Sequence, residues 1–273
     1  MLNAQVWLLA LADLREVARN RWTIVAALGF ALVSASLTLA ASAGGSEGFG
    51  PAAAGLINIE LIAVPLFALI VGALAFVRDR ERGTYAYMRA LPITLRELYV
   101  SKWITVAAQV SAVVLAGFAG AFAAMSLAGV SGGDVGGAVQ FAALTWLLAI
   151  ACAAIGIGIS TAVSRSPTAL GAAIAAWLLL VIFGDLGVMA TALVTRMNVS
   201  VLLALTSVNP AEAYKIASVA ALSGSVDVLG AGGRLAADTF GAGVMPIMVA
   251  VLLAWTLAAL FAGWRFLSRR SDA

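Results

Sequence analysis

The stretch FVRDRERGTYAYMRALPITLRELYVSKW (Phe76–Trp103) lies between two long apolar runs and holds six of the chain's sixteen basic residues: Arg78, Arg80, Arg82, Arg89, Arg96 and Lys102. The composition supplies the first part of a reason for that concentration. Of the 273 residues, 63% are hydrophobic and 11% are charged, whereas a soluble domain carries about 25% charge. Apolar runs longer than about 18 residues argue for membrane-spanning helices, not a barrel. The class read from the chain is an all-α integral membrane protein with the lipid bilayer as its solvent. The net charge of +3 does not mark nucleic-acid binding, because the basic residues flank apolar runs.

Working outward from the quoted stretch, six runs are expected to span: Trp22–Ala43, Leu56–Val77, Trp103–Ala128, Ala138–Val163, Thr168–Val194 and Val244–Leu267. Each is near or above the ~20 residues a crossing needs. The charge-free run Trp22–Ser46 exceeds a signal peptide's apolar core of about 7–15 residues, so it reads as a retained first span. Pro65 should kink the second span, and Pro167 should open the fifth with Ser166 as its cap. Basic residues sort to one side: Arg15, Arg19 and Arg21, the six of the quoted stretch, Arg165, and Arg265, Arg269 and Arg270, leaving Arg196, Lys215 and Arg234 opposite. The positive-inside rule then places both termini and residues 78–102 in the cytoplasm. Before the first span, residues 1–21 alternate apolar Val6, Leu9, Leu14 and Val17 with polar Asp13, Arg15, Glu16 and Arg19. That pattern predicts a helix in the interface plane that turns into the membrane near Asn20.

Several chemistries are excluded. The chain has no histidine, which removes imidazole metal sites, a Ser–His dyad and imidazole proton relays. The single cysteine, Cys152, lies in an apolar run and reads as buried packing. Neither lysine, Lys102 nor Lys215, follows a glycine, so no phosphate-cradling Walker loop is present. The glycines of GIGIG (Gly156, Gly158) lie inside a span and read as close helix packing. Met245 and Met248 share a face near the outer end of the sixth span, at its start in the chain, and are weak candidates for Cu(I); apolar filler is the simpler reading. Glu60 falls in the first turns of the second span, where a helix N-terminus favours an acid. Asp185 is the acid deepest in a span, about 17 residues or roughly 26 Å from its cytoplasmic start. It serves either as a structural hydrogen-bonding group or in substrate passage and coupling.

Two connectors carry local signals. In the quoted stretch Gly83 should break the helix leaving the membrane, Thr84 should cap a short helix over Tyr85–Leu91, and Pro92 should end it. A short helix held between two spans is a lever that a cytoplasmic partner can grip. On the other side, Thr195–Gly243 is long for a connection. Within it Asn209, Pro210 and Glu212 set up a helix start, with the helix expected to run to about Ser223. Ala213, Ile216, Ala217 and Ala220 share one face, which leaves Tyr214, Lys215 and Ser218 expected to point outward to a partner.

These residues resemble the ABC-2 type permease family, the membrane subunits of many bacterial ATP-binding-cassette transporters. LADLREVARNRW looks like that family's basic elbow helix. RERGTYAYMRALPITLRELYVSKW looks like its segment between spans two and three, matched at Glu81, Gly83, Thr84, Pro92 and Lys102. Ser101 stands where a glycine often precedes that lysine, and Arg82 where an acidic or small residue is usual. WLLLVIFGDLGVM and LTSVNPAEAYKI resemble the NosY-type branch, permeases of the nitrous-oxide reductase maturation system.

The resemblance covers most of the chain. It implies a single permease domain over residues 1–273 with a type V exporter-like fold, in the bacterial inner membrane. It further implies a homodimer and one cytoplasmic ABC ATPase per permease, which binds ATP and Mg. It implies coupling through Glu81, Gly83, Thr84, Pro92 and Lys102, to which the lever reading of the same segment adds Arg82, Tyr85 and Tyr87, and it implies no catalysis or cofactor in this chain. For the NosY-type branch it implies a periplasmic maturation protein that serves copper-site assembly, docked here through Asn209, Pro210, Glu212, Tyr214 and Lys215. An exporter of lipid, polyketide or drug stays open within the same family. From another class, an ion-coupled secondary transporter would need more intramembrane charge than Asp185 provides.

Overall fold

A computed structural model describes residues 4–18, 20–43, 50–90, 92–129, 135–182, 209–223 and 243–271. Every regular element among them is helical: α1 (Ala4–Ala18), α2 (Arg21–Ala43), α3 (Gly50–Leu74), α4 (Val77–Glu81), α5 (Thr84–Ala90), α6 (Leu95–Leu127), α7 (Val135–Ala162), α8 (Ser166–Trp177), α9 (Pro210–Ser223) and α10 (Val244–Ser271). In an apolar solvent a chain must satisfy its backbone groups within each segment, and the helix does so. Among the described residues five helices are long and apolar enough to cross a membrane, namely α2, α3 with its extension α4, α6, α7 and α10. Within the expected fifth span, α8 passes into a π-helical turn over Leu178–Ile182. Residues beyond Ile182, with Asp185 among them, lie outside the described residues.

Asn20 separates α1 from α2, as the sequence predicts. Its side-chain oxygen accepts from the Trp22 amide at 3.1 Å, and its carbonyl accepts from Thr23 and Ile24. α1 packs along α6 with Val6 and Ala10 buried and Trp7 and Leu11 exposed. α6 starts eight residues before the expected span. Thr94 and Glu97 form a reciprocal capping box, with the Glu97 amide donating to Thr94 Oγ1 at 3.2 Å and the Thr94 amide to Glu97 Oε2 at 2.8 Å. That box nucleates the first turns of α6 ahead of its apolar body.

The bundle centres on α3 against α7, with α2 on α6 and α10 on α7. Gly72 and Gly156 set the first contact. A β-carbon at Gly72 would stand 2.9 Å from the Gly156 α-carbon, and one at Gly156 would stand 2.5 Å from the Leu69 carbonyl oxygen. Without a hydrophobic force between helices in lipid, association rests on such close backbone approach. Cys152 is buried in the same contact region, where it acts as a small apolar residue. Met248 is buried and Met245 packs against the core.

Candidate functional site

The connector between α3 and α6 is tied to the bundle at four places. First, the Phe76 amide donates to Ser160 Oγ on α7 at 2.7 Å. The Phe76 ring stacks on Tyr99 of α6 at 6.0 Å and meets Tyr85 of α5 edge-on at 6.4 Å. Tyr99 in turn touches Trp264 and donates its hydroxyl to the Leu260 carbonyl on α10 at 2.9 Å. An unbroken aromatic line thus joins α5 to α10.

Second, Arg80 donates to the carbonyls of Ser160 at 2.8 Å and Val163 at 2.7 Å. These are end-of-helix acceptors of α7, which a cation satisfies. The same guanidinium lies over the Tyr85 ring at 5.3 Å. Third, Glu81 accepts from the Ser166 amide at 2.6 Å and from the Ser166 hydroxyl. The sequence reading made Ser166 the cap of the fifth span. Here α8 already includes Ser166, Arg165 occupies the cap without a side-chain bond, and the capping carboxylate comes from Glu81. A distant acid can replace a local cap because the helix N-terminus asks only for a nearby negative acceptor.

Fourth, Lys102 is buried and bonds two carboxylates, Asp13 of α1 at 2.7 Å and Asp79 of α4 at 2.6 Å. Three helices therefore share one ammonium. Burial holds the Asp13 carboxyl above its ordinary range, although the Lys102 charge and hydrogen bond pull it down. Arg82 pairs with Glu16 at 2.8 Å, with both side chains well exposed, so this pair adds little.

Between these anchors the chain turns at Gly83, whose φ of +76° is a left-handed conformation that glycine adopts without strain. Thr84 starts α5 and its hydroxyl donates to the Asp79 carbonyl at 3.2 Å. α5 ends at Ala90, ahead of the exposed Pro92. Tyr85 and Met88 pack against the core, whereas Tyr87 is 69% exposed. The eight residues named from the sequence thus divide into anchors, a hinge and an outward contact. Glu81 and Lys102 are anchors, Gly83 is the hinge, and Tyr87 faces outward. Asp13, Asp79 and Arg80 were missed as partners, because a helix of mixed charge gives no sign of which charge turns inward.

A second polar knot lies among the spans. Glu60 is buried; its Oε2 accepts from Thr145 Oγ1 of α7 at 2.6 Å and from the Tyr214 hydroxyl of α9 at 3.0 Å. Thr145 Oγ1 and the Tyr214 hydroxyl are 3.0 Å apart. Two sequence expectations are corrected here. α3 starts at Gly50, so Glu60 sits in its third turn and gains nothing from a helix N-terminus. Tyr214 and Ser218 are fully buried, and Pro210 and Glu212 are buried as well. An outward docking surface therefore cannot be built on these residues. α9 contacts α3, α7 and α10, so both of its faces meet protein. The helix start is as expected, with Asn209 Oδ1 accepting from the Ala211 amide at 2.9 Å. The Asn209 side-chain amide also donates to the Leu180 carbonyl at 2.7 Å, which ties α9 to the π-helical turn. Lys215 is half-buried.

Tyr214→Phe is expected to cost about 1–3 kcal/mol, since it strips a donor from a buried carboxyl. Thermal unfolding in detergent measures this, and an unchanged midpoint would show that the knot does not hold α9.

The chain matches the ABC-2 family transporter proteins over residues 7–271. It is similar to a probable ABC transporter permease protein NosY of Stutzerimonas stutzeri, 29% identical over 280 residues, covering 97% of this chain and 99% of that protein. It is likewise similar to a probable ABC transporter permease protein NosY of Pseudomonas aeruginosa, 29% identical over 272 residues and 94% of each. With a helical bundle, a connector anchored at both ends and a family match that covers nearly all of it, the chain belongs to the ABC-2 family and is a permease subunit of an ABC transporter.

Proposed function

We propose that this permease couples a separate cytoplasmic ATPase, which binds ATP and Mg, to an extracytoplasmic partner in copper-site maturation of nitrous-oxide reductase. The working unit is a homodimer of six-span chains. α1 lies in the interface plane and both termini are cytoplasmic. Positive-inside sorting supports the orientation. The NosY names of the two relatives and the resemblances around Asp185 and Asn209–Pro210 support the maturation role.

The observation that carries the coupling is Tyr87. It projects from a seven-residue helix that follows directly on α4, whose residues are fastened to α6, α7 and α8. Tyr85 of the same seven-residue helix packs on Phe76 and Arg80. A push on α5 therefore moves helix ends and does not dissipate in a loose loop. Tyr87→Asp is expected to cut co-purification of the ATPase at least fivefold, while the chain still inserts and unfolds normally. Tyr87→Cys should react with a membrane-impermeant maleimide only after permeabilisation. Labelling of intact cells would overturn the orientation, and full ATPase capture by Tyr87→Asp would overturn the lever.

A further inference from the structure

A cleft of about 1210 Å³ opens between α1, α2, α3, α6 and α8. Its mouth is polar, and its charges can be followed one by one. Lys102 occupies Asp13 and Asp79, and Arg82 occupies Glu16. The remaining charged groups of the lining are Arg15 and Arg78, both exposed and without an ion pair among the described residues. Four cations thus meet three carboxylates in the lining, a surplus of one positive charge that lies at Arg15 and Arg78.

Inward from the mouth the lining turns apolar, with Phe67, Ile70, Val71 and Leu74 of α3 facing Val106 of α6 and Leu170 of α8. A second cavity of about 270 Å³, between α2, α3 and α6, shares Ala26 and Phe67 with the first and carries the apolar path on to Val33. From Trp22 at the mouth to Val33 at the far end is about 16 Å along α2, roughly half of a hydrocarbon core. Trp22 is 77% exposed, as suits a residue at the level of the headgroups. A groove one leaflet deep, cationic at the headgroup end and apolar below, has the chemistry of an anionic lipid. Basic pockets between membrane helices bind such headgroups on the cytoplasmic side.

We propose that this cleft holds an anionic phospholipid, its phosphate between Arg15 and Arg78 and an acyl chain along Phe67, Val71 and Val106. Assigning it to the cytoplasmic leaflet rests on the orientation proposed above; binding itself does not, so the two fail separately. The full-length protein, purified in mild detergent, is mixed with phosphatidylglycerol and with phosphatidylcholine of the same acyl chains, and retained lipid is read by native mass spectrometry. Phosphatidylglycerol is expected to be retained about tenfold better. Arg15→Gln and Arg78→Gln should each reduce that preference about fivefold. Val71→Trp, which fills the apolar path, should lower retention of both lipids. Free glycerol phosphate, a headgroup without tails, should not be retained. Equal retention of the two lipids, a preference that survives the double arginine variant, no effect of Val71→Trp, or capture of glycerol phosphate alone would each overturn the proposal.

Discussion

Gly156→Leu is expected to leave little folded protein in the membrane, with the remainder destabilised by about 3 kcal/mol, the upper end of an overpacking cost. Position 156 lies against backbone on the facing helix: the Leu69 carbonyl, the Ala73 amide and the Gly72 α-carbon. Backbone cannot rotate aside as a side-chain tip can, so α3 and α7 must separate. That separation pulls the Glu60–Thr145 bond and the Phe76–Ser160 bond, since both cross the same helix pair. Loss should therefore exceed what one methylene group would suggest. Gly171 on α8 is the control, because nothing lies within 4 Å of a β-carbon built there. Gly171→Ala should be neutral or slightly stabilising. Membrane accumulation and thermal unfolding in detergent check both; normal accumulation of Gly156→Leu would refute the backbone contact.

Lys102→Met is expected to destabilise by about 3–5 kcal/mol, because removing one partner of a buried pair strands the other charge. Here two carboxylates are stranded, and each belongs to a different helix. The sign of the pH effect follows from Asp13. Burial already raises its carboxyl, with Lys102 opposing that rise. A carboxyl whose folded value is raised takes up its proton first in the folded state, so falling pH favours folding through that group. Without Lys102 the opposition is gone and the rise is larger. The variant's deficit should therefore shrink between pH 8 and pH 5. A deficit that grows as pH falls would show that the ammonium, and not the orphaned acid, sets the stability there. Function should suffer as well: with α1 and α4 released from α6, ATPase binding through Tyr87 is expected to persist while coupled turnover falls.

Composition and apolar run length determined the helical membrane class, because a bilayer admits few ways to satisfy a backbone. The connector's helix was legible for a local reason: Gly83 and Pro92 each act within a turn of themselves, whereas Thr84 lies inside α5 and turns its hydroxyl back to the Asp79 carbonyl instead of capping. Asn209 capped α9 by the same short-range chemistry. What those signals could not reach was direction. Tyr214 looked like an outward residue because a polar tip beside a lysine usually seeks water. Only the tertiary structure brought Glu60 and Thr145, from 154 and 69 residues away, to its hydroxyl.

Likewise the sequence named Lys102 but not Asp13 or Asp79, and it assigned the cap of α8 to Ser166 when Glu81 of another helix supplies it. Charge pairing depends on distances between helices, which residue spacing along one helix does not encode. The GIGIG glycines mark the boundary between the two kinds of knowledge. Their position inside a span predicted close packing, but that Gly156 meets Gly72 was decided by how α3 and α7 cross.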